Sequence, residues 1–206
     1  MTQAADQKEQ SKTLTDMMRL LFKGIIDPIA AFFNRLGLLP NTMTLIGLIG
    51  HTIGALFLFQ GKMLIGGLVI LAMAPVDALD GTMARLRGES SSFGAFVDSV
   101  TDRYSELIIF LALIIFYAQQ DEWLNSVVVY TAAAGSVLVS YVRSRGESLG
   151  YEAKVGILTR MERYIVLVPA LILNVPMIGL WIIAVMANVT AIQRILHIRR
   201  QARSNL

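Results

Sequence analysis

Residues 77–102 read DALDGTMARLRGESSSFGAFVDSVTD, and the rest of the chain is organised around them. The stretch sets four aspartates and an arginine on two apolar segments with the composition of membrane-embedded helices. Ionisable groups at such depth are costly and are kept for function. Asp77, Asp80, Gly81 and Ala84 follow at intervals of three, one and three, so they share one face of a helix. Gly94, Asp98 and Asp102 are four apart and share a face of the next helix. If the two helices form a hairpin joined by the turn RGESSSF, the four carboxylates converge. Uncompensated carboxylates that close repel one another, so cations must sit among them. Donors that are all carboxylate oxygen, with no cysteine and no nearby histidine, suit magnesium, manganese or calcium rather than zinc.

Composition agrees with a membrane setting. The hydrophobic fraction is 55% and the mean hydropathy +0.60, whereas soluble domains hold about 45–50% apolar residues even with glycine counted. By length the 206 residues make a single membrane domain. Without cysteine, neither disulfides nor thiol chemistry can contribute. Residues 1–12 (MTQAADQKEQSK) are polar and are expected to form a flexible tail, with no apolar core behind a basic start and hence no signal peptide. Residues 13–36 are expected to form a juxtamembrane helix. There Leu14, Met17, Met18, Leu21, Ile25 and Ile29 recur at helical spacing, while Asp16, Arg19, Lys23 and Asp27 hold the other face. Such an amphipathic helix with basic residues lies along an anionic membrane surface.

In LGLLPNTMT, Pro40 is expected to break that helix and Asn41 or Thr42 to cap the next. Six apolar spans follow within 41–200, at 41–60, 62–84, 92–118, 122–143, 158–174 and 175–196. Most reach the roughly 20 residues needed to cross the hydrocarbon core. The fold class is therefore all-α integral membrane, with six transmembrane helices plus the N-terminal amphipathic juxtamembrane helix. Glycine and alanine scattered through the spans predict close helix packing. His51, alone inside the first span, reads as a packed or hydrogen-bonded residue rather than a ligand. Of the 18 lysines and arginines, only Lys62 falls in a loop on the odd side of the bundle. Both termini and the aspartate cluster therefore face the cytoplasm, in a cell (inner) membrane.

The run DxxDGxxAR, then eight residues, then GxxxDxxxD, resembles the signature of the CDP-alcohol phosphotransferases, with every fixed position present in 77–102. The resemblance implies transfer of a phosphatidyl group from a CDP-linked lipid, CDP-diacylglycerol, to a polar alcohol, with release of CMP. It implies that Asp77, Asp80, Asp98 and Asp102 bind two magnesium ions, with manganese possible in their place, and that Asp102 is the general base. It further implies CDP-lipid contacts at Asn41, Thr42, Gly81, Arg85 and Ser91, the last chosen among the neighbouring hydroxyls Ser90, Ser91 and Ser92.

SYVRSRGESLG, followed by TRMERY, resembles the inositol-phosphate branch, the phosphatidylinositol phosphate synthases. Carried over, that likeness puts the acceptor phosphate among Ser140, Arg143, Arg163 and Arg194. The family's ERxER-like run here has Thr159 in place of the first glutamate. A phosphatidylglycerophosphate synthase, whose acceptor also carries a phosphate, is the alternative within the family. An ion-coupled transporter is the alternative of another class, but its marks, a broken helix or an internal repeat, are not visible. Expected partners are CDP-diacylglycerol, inositol phosphate, membrane lipid and a second copy in a homodimer; no nucleic acid is expected.

Overall fold

The computed structural model describes residues 14–88, 91–153 and 155–204, and for residues 14–23 and 25 the backbone alone. They form seven α-helices: α1 (Leu14–Arg35), α2 (Pro40–Phe59), α3 (Met63–Arg87), α4 (Ser92–Ala118), α5 (Trp123–Ser148), α6 (Arg160–Ile172) and α7 (Pro176–Ser204). No strand occurs among the described residues. The tail at 1–12, Ser90 and Lys154 lie outside them. So do the side chains of Leu14, Asp16, Met17, Met18, Arg19, Leu21, Lys23 and Ile25, on which the two faces of α1 are read.

Turn chemistry sets the helix ends. Gly88, at φ +68°, caps α3 in the left-handed region that a residue without a Cβ enters freely, and its N–H bonds back to Ala84 and Arg85 carbonyls. Ser91 caps α4, its Oγ accepting from the Gly94 N–H at 2.9 Å. The cap expected at Asn41 or Thr42 is not made. Leu39 is the extended residue before α2 and Pro40 opens its first turn without a side-chain cap. A proline has no N–H to satisfy there and its fixed φ suits that position.

α2, α3, α5 and α7 are long and apolar enough to cross a membrane. α4 falls short because Asp102, Arg103 and Glu106 interrupt its apolar run. α6 has 13 residues. At 1.5 Å each it spans about 20 Å, against a hydrocarbon core of about 30 Å. The outward faces are apolar: Leu45, Ile49 and Leu56 on α2, and Trp181, Val185 and Ile192 on α7, are exposed. A surface of that kind calls for lipid rather than water.

α2 is the organising helix. It packs on α3 and α4, while α4 packs on α5, α5 on α7, and α6 on α3 and α7. A Cβ on Gly66 of α3 would fall 2.9 Å from the Gly54 carbonyl of α2, so these two backbones approach where only glycine fits. Leu58, Ile70, Phe110, Leu113, Val129, Leu180 and Ile183 fill the core. α3 and α4, consecutive in sequence, have no extensive contact of their own. In place of the close α3–α4 hairpin expected from the sequence, α2 packs against both helices. A second, smaller cluster joins α1 to this frame through Ala30, Met43, Leu79 and Met83. Arg87 donates to Asn34 Oδ1 at 2.7 Å and to the Leu38 carbonyl at 2.6 Å, tying the end of α1 to the end of α3.

One buried ion pair links α4 to α6. Arg163, 2% exposed, gives its Nε to Glu106 Oε1 at 2.6 Å and Nη2 to Oε2 at 3.0 Å. Glu106→Gln should leave that guanidinium buried without its carboxylate, a loss of about 3–5 kcal/mol. The thermal midpoint of the purified chain in detergent should fall accordingly, and adding Arg163→Met should recover part of the loss. An unchanged midpoint would show that the pair does not hold α6 in place.

Candidate active site

The last turns of α3 and the first turns of α4 carry the aspartates, and α6 closes the gap between them. Asp77 and Asp102 are bridged by a residue of α6: Arg160 Nη2 stands 2.8 Å from Asp77 Oδ2 and Nη1 2.6 Å from Asp102 Oδ2. Asp80, 6% exposed, accepts from Thr44 Oγ1 of α2 at 2.7 Å and from the Gly81 N–H at 2.5 Å. Asp98 is half-buried and within electrostatic reach of Asp77, Asp80 and Arg160. Arg103 approaches Asp102 at 3.7 Å. α2 comes in closely for a steric reason: a Cβ on Gly47 would lie 2.7 Å from Asp77 Oδ1.

Beneath Arg160 runs a buried polar column. Its guanidinium lies over the Tyr164 ring, 5.3 Å from the centroid. The Tyr164 hydroxyl meets His51 Nε2 at 3.1 Å, and His51 Nδ1 meets the Gly47 carbonyl at 2.8 Å. A carbonyl only accepts, so Nδ1 carries the proton and Nε2 accepts from the tyrosine. His51 is fully buried and hydrogen-bonded at both nitrogens, as its sequence context predicts.

In charge terms, Asp77, Asp80, Asp98, Asp102 and Glu106 set five negative groups against Arg103, Arg160 and Arg163, two in excess. The donors offered are hard oxygens, which fit divalent magnesium or manganese. As the side chains stand, no three histidines or carboxylates among the described residues are gathered tightly enough to hold an ion. The Arg160 guanidinium takes the bridging position between Asp77 and Asp102. Its Nε, like that of Arg103, is buried without a hydrogen-bond partner.

The other expected residues fall into two groups around this layer. Asn41, Gly81, Arg85 and Ser91 are exposed and Thr42 is half-buried. Arg85 donates to Thr82 Oγ1 at 2.8 Å, and Ser91 is occupied as the α4 cap. On the far side, Arg194 is 3% exposed and donates to the Val155 carbonyl at 2.8 Å and the Val139 carbonyl at 2.5 Å. Arg143 and Arg163 are near enough to act on it electrostatically. Arg143 is exposed and paired with Glu147 at 2.9 Å, and Ser140 donates to the Ser136 carbonyl at 3.3 Å. Thus the structure gathers the aspartates into one layer and Arg143, Arg163 and Arg194 into another, with Arg163 already engaged by Glu106.

Glu106, Thr44, Arg103, Arg160 and Tyr164 are not singled out for this site in the sequence reading. Glu106 continues the four-residue series Gly94, Asp98, Asp102, and Thr44 stands four residues after Pro40, so helical spacing contains both. Arg160 and Tyr164 offer only their place beside Arg163, since nothing local says which arginine turns toward the carboxylates.

Residues 37–193 match the family described as CDP-alcohol phosphatidyltransferase. A phosphatidylinositol phosphate synthase of Streptomyces avermitilis is 36% identical over 206 residues, covering 92% of this chain and 84% of that protein. The crystal structure of Mycobacterium tuberculosis phosphatidylinositol phosphate synthase with CDP-DAG bound aligns with a TM-score of 0.80 at 29% identity, over 84% of this chain and 93% of that one. The same enzyme in complex with manganese and citrate aligns with a TM-score of 0.80 at 30% identity, over 85% and 89%. The chain belongs to the CDP-alcohol phosphatidyltransferase family and is a multi-pass membrane enzyme.

Proposed function

We propose that the enzyme transfers the phosphatidyl group of CDP-diacylglycerol to inositol phosphate and releases CMP. The observation that carries this reading is the pairing of two layers: carboxylates on α3 and α4, and arginines where α5, α6 and α7 meet. The solved relative with CDP-DAG bound supports the donor. The name of the Streptomyces avermitilis relative, phosphatidylinositol phosphate synthase, supports the acceptor, and the relative with manganese and citrate supports a divalent metal. α2 to α7 make six spans, the short α6 crossing together with the segments at its two ends and α4 with its charged residues turned to the site. α1 lies along the cytoplasmic surface, and both termini and the carboxylate layer face the cytoplasm, in accord with the distribution of lysine and arginine. Two copies assemble as a homodimer.

The chemistry follows from which group each residue can serve. Asp77, Asp80, Asp98 and Asp102 would hold two divalent ions, magnesium or manganese, which when bound would supply charge neutralisation for the pyrophosphate and the leaving CMP. Asn41, Thr42, Gly81, Arg85 and Ser91 line the exposed side, where the nucleotide of the donor is held. The acceptor hydroxyl attacks the phosphorus that bears diacylglycerol, the bond from that phosphorus to the oxygen of CMP breaks, and Asp102 takes the hydroxyl proton. Thr44 and the Gly81 N–H hold Asp80 in one orientation, so that its part of the site is preorganised.

On the acceptor side, Arg143 and Arg163 already have carboxylate partners, whereas Arg194 makes no ion pair among the described residues. Its charge, pinned by two carbonyls, is the one most in want of an anion. Together with Ser140 and Arg143 it receives the acceptor phosphate, while Arg163 is held rigid behind it by Glu106.

Asp102→Asn should lower turnover by about 10² to 10⁴, the usual contribution of a general base, in folded protein. Retention of more than a tenth of the activity would remove Asp102 from that role. CMP release from labelled CDP-diacylglycerol should depend on inositol phosphate, and unphosphorylated inositol should be a poor acceptor because it offers the arginines no anion. Losing one charge-assisted contact, about 1.5–3 kcal/mol, should raise acceptor KM roughly tenfold to a hundredfold in Arg143→Gln. Equal use of inositol, or preference for glycerol phosphate, would overturn the acceptor while leaving the family chemistry intact.

A further inference from the structure

The two arginines at the start of α6 are held in different ways. Arg163 is locked: both ends of its fork meet Glu106, and Nη1 reaches the Leu158 carbonyl at 3.5 Å. Arg160 meets Asp77 and Asp102 through its two terminal nitrogens and lies over the Tyr164 ring, and its buried Nε makes no hydrogen bond among the described residues. Its partners are two of the four aspartates assigned above to divalent metal. A guanidinium and a divalent ion cannot both occupy the gap between Asp77 Oδ2 and Asp102 Oδ2.

We propose that Arg160 is a resident counter-cation, which bridges Asp77 and Asp102 in the metal-free enzyme and gives them up when a divalent ion binds. The inference rests on the metal reading of the four aspartates. Without the guanidinium, Asp77 would lose its one ion pair among the described residues and Asp102 would keep only the longer contact with Arg103 at 3.7 Å, and a buried charge left alone is strongly destabilising. With it, the two carboxylates that face each other across the gap share one cation, and the layer as a whole keeps the negative excess that draws a divalent ion.

The column beneath Arg160 supplies the place to which it yields. The face of the Tyr164 ring attracts a cation, and the guanidinium already lies over it at 5.3 Å. Tyr164 cannot swing away cheaply, because its hydroxyl is held by His51 and His51 by the Gly47 carbonyl. Gly47 is also the residue against which Asp77 packs. Support for the displaced arginine and support for the carboxylate it leaves are therefore one connected structure.

The sign of one measurement separates this role from a structural one. If Arg160 competes with metal, removing it tightens metal binding; if it merely props up the aspartates, removing it weakens binding. Manganese affinity of the full chain in detergent, without substrate, is read from the electron paramagnetic resonance of the free ion. Arg160→Gln should bind manganese about a hundredfold to ten-thousandfold more tightly than wild type, since two charge-assisted bonds, each worth about tenfold to a hundredfold, no longer have to be broken. Arg160→Lys keeps the charge but cannot span two carboxylates, so its affinity should fall between the two. It also serves if the glutamine variant does not fold. Affinity in the folded variants equal to or weaker than that of wild type overturns the proposal and leaves the metal reading standing. Absence of manganese binding in wild type and variants alike removes the metal reading, and the proposal with it.

Discussion

Repulsion among carboxylates placed inside an apolar bundle is the constraint on which the rest of this structure depends. Asp77 and Asp80 are carried by α3, which is long and apolar enough to cross a membrane, and Asp98 and Asp102 by its successor. Each lies within electrostatic reach of others in the set. Charges that deep persist only when paired. The fold answers by keeping α3 and α4 from packing on one another, inserting α2 against both, and bringing the start of α6 across the gap. Arg160 then closes the circuit between the two helices.

That arrangement makes α6 the keystone between two chemistries. Within its first two turns, Arg160 reaches the carboxylates, Arg163 is fixed by Glu106, and Tyr164 links both to α2 through His51. A helix of 13 residues would be marginal on its own. Here it is pinned by ion pairs to α3 and α4, and the segment leading into it is held by α7, where Thr190 accepts from the Leu158 N–H at 3.1 Å and Arg194 holds Val155. The same contacts that position α6 therefore position the arginine layer relative to the aspartates, and a phosphatidyl transfer needs those two layers in fixed register.

Local signals in the sequence carry local structure and stop there. Spacing of three and four makes it legible that Asp77 shares a face with Asp80, and Asp98 with Asp102, because a helix repeats every 3.6 residues whatever surrounds it. The apolar runs locate α2 to α7 to within a few residues at most ends, with α5 and α7 running further into polar sequence than hydropathy alone predicts. His51 reads correctly as a packed residue, since a lone imidazole has no companion ligands nearby. What is not legible is the pairing between distant elements: Arg160 with Asp77 is 83 residues apart, and Arg163 with Glu106 is 57. No periodicity encodes such a choice. The start of α2 differs for a smaller reason, since proline suits the first turn and moves the boundary ahead of Asn41 and Thr42.

The central claim is that the aspartate layer works by holding divalent ions against a pyrophosphate. It is tested most directly by following CMP release from CDP-diacylglycerol, with inositol phosphate present, before and after metal is stripped with EDTA. The account predicts that chelation stops the reaction and that magnesium or manganese, added back in excess, restores it. Full activity in thoroughly chelated enzyme would contradict it.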